Sequence, residues 1–259
     1  MKDRENTKNR RNTNLKINAR EWLKELQAQN KLAPFRRNEC ENCNGLQCMK
    51  ITDKYQKDGE KCRVWLEVVS KEKITEAGIP GKYVGKTFAD YDETPENRTA
   101  LRLARRFLNK PTGGLYIYGG VGTGKTFLAS LIGQEYVRNF KRVVFENAPV
   151  MLSKLKGTFD KPCTSLEEVF VRYSKAPLLI LDDFGCGYMT DWAVDMLYQL
   201  VNVRYDAELP LIATSNYDLT GLKEKLSRKD EHGGARIASR LSEMCYLAFL
   251  GTEDRRKKS

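Results

Sequence analysis

The chain has 259 residues, a formal net charge of +11 and a hydrophobic content of 41%, enough for one sizeable α/β core and a small additional module. No apolar run approaches the length that crosses a bilayer, and the first residues are polar rather than signal-like, so we expect a cytoplasmic protein without a membrane partner. The positive charge favours a polyanionic partner such as nucleic acid. Seven cysteines in a cytoplasmic chain indicate metal binding rather than a disulfide framework.

The first part of the chain divides into a basic arm, a module and a linker. Residues 1–17 are rich in Lys, Arg, Asn and Thr, a composition typical of disorder. Residues 18–77 are predicted as a helical, metal-binding module, because Asn18 and Glu21 have the spacing of a helix N-cap and its reciprocal partner. Residues 78–94 contain several Gly and Pro residues and are predicted as an extended linker.

Four cysteines lie close together within the predicted module and supply enough thiolates for a tetrahedral Zn²⁺ site. They are Cys40, Cys43, Cys48 and Cys62. A segment of this size has no sizeable core of its own, so metal binding would provide its folding free energy. The spacing is irregular, which leaves an iron–sulfur cluster as the main alternative to zinc.

From Thr94 onward, apolar strands alternate with helices, and residues 95–259 are predicted as one α/β domain. Thr94 as N-cap and Pro95 at the first helical position predict a helix start, and Ser165 with Glu168 forms a capping box for a later helix. Five strands are predicted at residues 115–118, 142–146, 178–182, 209–214 and 245–250. Each is almost wholly apolar, which indicates a parallel sheet covered by helices on both faces.

The segment after the first strand matches the phosphate-binding P-loop pattern, G-x-x-x-x-G-K-[ST], at every position. Its residues are Gly119, Gly120, Val121, Gly122, Thr123, Gly124, Lys125 and Thr126. Glycines let backbone N–H groups surround phosphate oxygens, and the N-terminus of the following helix adds a partial positive charge. We expect Lys125 to contact the β- and γ-phosphates and Thr126 to take one position on Mg²⁺. The sequence therefore predicts a nucleoside triphosphate site.

Polar side chains follow two later strands of the predicted sheet. Asp182 ends the strand 178–182 and is predicted to hold Mg²⁺, directly or through water. Asp183 is then placed to orient or deprotonate the attacking water. Asn216 follows the next strand and is the candidate for contact with the γ-phosphate. Either feature alone could be an ordinary loop start, but their order after the P-loop favours a site for nucleotide hydrolysis.

Four segments carry a resemblance to a known family. They are Leu181-Asp182-Asp183-Phe184-Gly185, Asn202-Val203-Arg204-Tyr205, Ala213-Thr214-Ser215-Asn216 and Arg236-Ile237-Ala238-Ser239-Arg240-Leu241. Residues 77–256 resemble the AAA+ loaders of bacterial replicative helicases, of the DnaC and DnaI type, and the related IstB transposition ATPases. The resemblance implies a five-stranded P-loop AAA+ fold, ATP and Mg²⁺ as ligands, and ATP hydrolysis. Too short a stretch follows Asn216 for the separate helical lid of most AAA+ proteins.

The resemblance also implies roles for two arginines and for the cysteines. Arg240, the second arginine of the R-x-x-x-R-L box, corresponds to the family's arginine finger on the ATP of a neighbouring subunit, which implies an ATP-dependent homo-oligomer. Arg255 corresponds to the sensor II arginine of a closing G-x-D-x-R segment, although Glu253 stands where Asp is usual. The cysteine-rich segment resembles the zinc-bearing domain with which DnaI-type loaders dock the helicase.

These resemblances imply an ATP-dependent loader that places a replicative DNA helicase on single-stranded DNA. An IstB-like transposition helper is the nearest alternative, and it would not be expected to carry the zinc module. An adaptor of another class would bind ATP without hydrolysing it. The basic side chains at Lys154, Lys156 and 223–229 lack the aromatic interleaving of a base-stacking platform, so no residue is assigned to DNA contact.

Overall fold

The computed structural model describes residues 70–139, 141–160, 165–227 and 232–257. They belong to the second of two compact units, which spans residues 68–259. The predicted basic arm, the helix opening at Asn18 and the four cysteines of the zinc module lie outside the described residues. Within the described ranges, no helix is both long enough and apolar enough to cross a membrane.

A parallel sheet of five strands, in the spatial order β2-β3-β4-β1-β5, forms the centre of this unit. The strands are β1 Gly114–Tyr118, β2 Val143–Asn147, β3 Leu178–Asp182, β4 Leu211–Ser215 and β5 Cys245–Phe249. The predicted parallel sheet is confirmed, and the strand ends differ from prediction by about two residues or fewer. Because all pairs are parallel, the carboxyl ends of the strands meet along one edge.

Eight helices of the described residues cover the sheet. They are α1 Ser70–Glu76, α2 Arg98–Asn109, α3 Lys125–Arg138, α4 Ala148–Lys156, α5 Leu166–Ser174, α6 Asp191–Asp206, α7 Leu219–Leu226 and α8 Gly233–Met244. Two buried clusters fill the layers. The first contains residues of α1, α2 and α3, and the second contains residues of α4 to α8. Alternate strand residues enter different clusters, Leu115 the first and Tyr116 the second, as the pleat of a strand requires.

The predicted capping box of α5 is confirmed. The backbone N–H of Glu168 donates to Oγ of Ser165 at 3.1 Å, and the N–H of Ser165 donates to Oε2 of Glu168 at 3.3 Å. The pair satisfies two donors at the helix N-terminus that have no partner within the helix.

The start of α2 differs from the prediction. Pro95 was expected at the first helical position, but the helix begins at Arg98, and residues 95–97 form a turn. The buried side chain of Asn97 explains the difference. Its Oδ1 accepts from the N–H of Thr94 at 2.8 Å, and its Nδ2 donates to the carbonyl of Asp92 at 2.8 Å. Because this amide bonds to the residues before the helix, it closes a turn there.

The predicted linker packs against the core instead of running free. Residues 78–94 contain two 3-10 turns, and Ile79 in this segment is only 4% exposed. The fully buried Gln134 of α3 holds the segment, because it accepts from the N–H of Gly85 and donates to the carbonyl of Tyr83, both at 2.9 Å. The chain before α2 is therefore part of the same unit as the sheet.

The residue just before this segment bonds to the outer edge of β2. The N–H of Phe145 donates to the carbonyl of Ala77 at 2.6 Å. Gly78 follows with φ +86°, and a Cβ there would collide with the carbonyl oxygen of Phe145. A glycine is required at this turn, since other residues rarely adopt this conformation and would not fit.

Candidate nucleotide-binding site

The P-loop connects β1 to α3 through a turn that depends on glycine. Gly122 and Gly124 have φ values of +79° and +93°, which side chains with a Cβ rarely adopt. Gly124 is the N-cap of α3, so the unpaired N–H groups of the first helical turn open toward the loop. The backbone therefore has the form that the sequence predicts for a phosphate cradle.

Lys125 lies folded over the loop and is 7% exposed. Its Nζ donates to the carbonyl oxygens of Gly119 at 3.0 Å and Gly120 at 2.6 Å. Burial lowers the pKa of Lys125, and the nearby Asp183 carboxylate opposes this shift. Charged phosphate oxygens are stronger partners for an ammonium than neutral carbonyls, so Lys125 can exchange these bonds for a triphosphate.

Asp182 and Thr126 lie together at the carboxyl edge of the sheet. Oγ1 of Thr126 lies 2.9 Å from Oδ1 and 3.0 Å from Oδ2 of Asp182. Burial raises the pKa of Asp182, and a 2.6 Å hydrogen bond from the Thr214 hydroxyl opposes this shift. In the described part of the chain, no Lys or Arg forms a salt bridge with this buried carboxylate. A hydroxyl and a carboxylate side by side are oxygen ligands that fit Mg²⁺.

Asn147 is a site residue that sequence reasoning missed. Its Nδ2 donates to Oδ2 of Asp183 at 3.0 Å, and its Oδ1 accepts from the N–H of Val150 at 3.4 Å, which caps α4. Asp183 itself has φ +56°, and its N–H donates to Oγ1 of Thr214 at 3.0 Å. Asn147 ends β2, which pairs with β3, and lies in register with Asp182. No local sequence motif marks this position, because it depends on which strand pairs with β2.

Strand β4 brings Thr214, rather than Asn216, to the two aspartates. Thr214 is fully buried and bonds to Oδ1 of Asp182 and to the N–H of Asp183. Asn216 lies exposed just beyond the strand, where its Nδ2 is 3.8 Å from Sγ of Cys186. The structure therefore places Asn216 at the rim of the site, next to the loop that follows Asp183.

The C-terminal segment runs along the P-loop. The N–H of Gly120 donates to the carbonyl of Gly251 at 2.9 Å, and the N–H of Arg255 donates to the carbonyl of Gly122 at 3.1 Å. These backbone bonds hold residues 251–255 beside the loop.

The two adjacent arginines of this segment point to different partners. Arg255 donates from Nη1 to the carbonyl of Asp92 at 3.2 Å and from Nη2 to Oγ1 of Thr94 at 3.3 Å. Arg256 instead forms a salt bridge with Asp254, with Nη2 lying 2.9 Å from Oδ2. The sensor II role of Arg255 stays a prediction.

Arg240 lies on another surface, formed by α6 and α8. Its Nε donates to Oδ1 of Asn202 at 2.5 Å, and its guanidinium carbon is 4.9 Å from the ring centroid of Tyr198. Glu243, one turn further along α8, accepts from two hydroxyl groups instead. Throughout the described residues, no carboxylate forms a salt bridge with Arg240 and no hydrogen bond joins it to the P-loop. Neutral groups hold this guanidinium, so its charge is not neutralised.

The predicted zinc ligands cannot be placed. Cys40, Cys43, Cys48 and Cys62 all lie outside the described residues. Inside them, no cluster of three or more His, Cys, Asp or Glu side chains could hold a metal ion.

Two curated proteins are similar to this chain. It is 29% identical over 185 residues to the replicative helicase loader DnaI of Bacillus subtilis (strain 168), an alignment that covers 67% of this chain and 59% of that protein. It is 27% identical over 158 residues to the replicative helicase loader DnaC of Buchnera aphidicola subsp. Schizaphis graminum (strain Sg), with 59% and 64% covered. The chain thus spans less than two thirds of the length of these relatives.

A solved structure and a family model agree with these relatives. The crystal structure of DnaI superimposes with a TM-score of 0.59 and 26% identity, covering 66% of this chain and 93% of that one. Residues 82–259, more than half of the chain, match the family described as IstB-like ATP binding protein. The resemblance stated for residues 77–256 and the expected α/β fold of this part of the chain are confirmed. The chain belongs to the family of IstB-like ATP-binding proteins.

Proposed function

We propose that this protein is an AAA+ ATPase that loads a replicative DNA helicase onto single-stranded DNA. The observation that carries the proposal is the meeting of Lys125, Asp182, Asp183 and Thr214 at the carboxyl edge of the sheet, in a chain of an ATP-binding family. The two curated relatives described above are themselves named replicative helicase loaders. That favours helicase loading over a role as a transposition helper.

In the proposed hydrolysis, the side chains of the site have different roles. Lys125 binds the β- and γ-phosphates, while Thr126 and Asp182 hold Mg²⁺, which offsets phosphate charge when bound. Asp183 orients the attacking water and accepts its proton. The amide of Asn147 holds the Asp183 carboxylate and must yield this hydrogen bond, or share it, when the water binds.

The proposed active unit is an ATP-dependent homo-oligomer. Arg240 acts on the nucleotide of a neighbouring copy, which requires a head-to-tail contact that joins two different surfaces. The guanidinium is held by neutral partners, as expected for a side chain whose anionic partner belongs to another molecule. Asn216 and Arg255 would contact the γ-phosphate from the rim of the site.

The remaining proposals concern partners and the N-terminal region. The net charge of +11 favours binding to the phosphate backbone of single-stranded DNA. Cys40, Cys43, Cys48 and Cys62 are proposed to bind Zn²⁺ in a module that docks the helicase. This module was expected within residues 18–77 and is proposed to end before residue 70. Residues 1–17 are proposed as a separate basic arm, and the ATPase unit as beginning near residue 70 rather than 95, because the segment before α2 packs into its core.

The proposal is tested by two measurements on the purified full chain. ATP turnover should be stimulated by single-stranded DNA, and tagged protein should capture the replicative helicase of its host. The matched control is Lys125→Ala, which should show no turnover. Capture of the helicase without any turnover would favour an ATP-binding adaptor. Turnover without capture would contradict the loader function.

A further inference from the structure

The surface around Arg240 is formed by two rows of side chains, one on α6 and one on α8, which contact each other. On α6, Tyr198 and Asn202 are one turn apart, and on α8 Arg236 and Arg240 have the same spacing, so both pairs face one another across the packed helices. Side chains four residues apart lie on one face of a helix. The α6 row supplies an aromatic ring and an amide, and the α8 row supplies two guanidinium groups.

Both guanidinium groups lie on the same ring. The carbon atom of Arg240 is 4.9 Å, and that of Arg236 is 5.7 Å, from the centroid of Tyr198. Like charges at this spacing on a helix destabilise it. In the ranges that the structure describes, neither arginine forms a salt bridge with a carboxylate. Neither guanidinium is therefore neutralised by a direct ion pair within these ranges. Two carboxylates on the same helices, Asp206 and Glu243, bond to Asn202, Tyr205 and Ser239 instead.

The amide of Asn202 is itself oriented. Its Nδ2 donates to Oδ2 of Asp206 at 2.8 Å, which directs Oδ1 toward Nε of Arg240. The Nε edge of the Arg240 guanidinium is thereby held by a hydrogen bond, and one face of the group packs against the ring of Tyr198. The Nη2 group of Arg240 makes no hydrogen bond within the described residues and is the free donor.

We propose that Tyr198 and Asn202 are positioning residues for Arg240. They hold its guanidinium in one orientation without neutralising it, so that its free donors can meet the phosphates of a nucleotide bound by a second copy of this chain. The inference rests on the proposed action of Arg240 in trans, and it adds the two α6 residues that make this action effective. A carboxylate in place of either residue would orient the arginine but would compete with phosphate for its charge.

The first test removes the ring. Tyr198→Leu should lower kcat for ATP about ten- to a hundredfold, as expected when a catalytic group loses its geometry, while the Kd for ATP stays unchanged. Tyr198→Phe keeps the ring and should retain kcat within about threefold, because the stacked face is preserved. The matched control is Tyr246→Leu, which removes a second Tyr–Arg stack, with Arg106 at 4.9 Å, and should leave kcat unchanged.

The second test separates positioning from a structural role. Tyr198→Leu subunits keep a complete P-loop and Asp183, whereas Asp183→Asn subunits keep Arg240 and its support. Mixing the two proteins should restore part of the turnover, because some contacts then pair an intact nucleotide site with an oriented arginine. A defect in the folding or the nucleotide site of the Tyr198→Leu subunit itself would not be restored.

The outcomes distinguish this inference from the function on which it rests. Turnover of Arg240→Ala equal to that of the wild type would overturn the action of Arg240 and this inference together. Loss of turnover in Arg240→Ala, with full turnover in Tyr198→Leu, would overturn the positioning role alone. Equal losses in Tyr198→Leu and Tyr198→Phe, or no recovery on mixing, would assign Tyr198 to the stability of its own subunit and likewise overturn the positioning role.

Discussion

Arg204, within one of the four segments that resemble the loaders, is a structural residue rather than part of the nucleotide site. It is fully buried and donates to the carbonyls of Tyr173 at 2.9 Å, Ser174 at 3.1 Å and Pro210 at 2.5 Å. Burial lowers the pKa of Arg204 to about 10, so it remains charged at neutral pH. The guanidinium joins the end of α5 to the residue before β4, which helps to place Thr214 at the end of that strand.

Arg204→Met should therefore destabilise the fold strongly. Three buried carbonyl groups would lose a charged donor, and we expect the free energy of unfolding to fall by about 3–5 kcal/mol. Urea denaturation measures this loss. The control is Arg102→Met on α2, whose side chain is exposed and whose replacement should change stability by about 0.5 kcal/mol or less. Equal stability of both variants would show that Arg204 does not join the two elements.

Asp183 gives a prediction about turnover. Asp183→Asn preserves the shape of the side chain but removes the proton acceptor, so ATP affinity should persist while kcat falls about a hundredfold or more. Equilibrium binding and steady-state turnover, measured on the same preparation, separate the two effects. Unchanged kcat would move the water-orienting role to another residue.

At the scale of elements, the sequence predicted the sheet better than the segments around it. Five apolar runs were enough for the strands, because a buried parallel strand needs little beyond its own apolar residues. The start of α2 was predicted wrongly, since Asn97 bonds backward to the preceding loop, and the packing of residues 78–94 depends on Gln134. Those partners lie in other parts of the chain, which local patterns do not reveal.

The end of α6 offers a further prediction at this scale. Glu208 follows the helix with φ +52°, a left-handed conformation that costs a residue with a Cβ about 1 kcal/mol. Glu208→Gly should raise the free energy of unfolding by roughly 0.5–1 kcal/mol, because glycine adopts this conformation without strain. Glu208→Ala is the control, since it removes the carboxylate and keeps the strain. Thermal unfolding of both variants measures the change in stability. An equal increase in stability of the alanine variant would show that removal of the negative charge, rather than relief of strain, causes the effect.

In the candidate site, the residues predicted from the sequence are those of the P-loop, Asp182 and Asp183, which form known motifs at the ends of strands. They lie together because the strands of a parallel sheet all end at the same edge. Thr214 was passed over for Asn216, because the side chain that points to the aspartates depends on the exact end of β4. Asn147 was missed because its role follows from the neighbouring strand β3, a spatial relation that no local motif contains.

At the scale of the whole molecule, the ATPase unit and the metal-binding module should be separable. Purified protein is expected to carry one Zn²⁺ per chain, and Cys40→Ser with Cys43→Ser should release it. The ATPase unit should stay folded and bind ATP, because residues 68–259 form a compact unit with their own sheet. Elemental analysis decides. Iron with visible absorbance would indicate the iron–sulfur alternative, and the absence of any metal would refute the module.

We expect ATP binding in this P-loop to drive the loading of a helicase. The most direct measurement is the amount of replicative helicase deposited on circular single-stranded DNA, with the wild-type chain or with Lys125→Ala. We expect ATP-dependent loading by the wild-type chain and only background loading by the variant, which loses the ammonium that is proposed to contact the phosphates. Equal loading by the two proteins, or loading by the wild-type chain without ATP, would contradict this expectation.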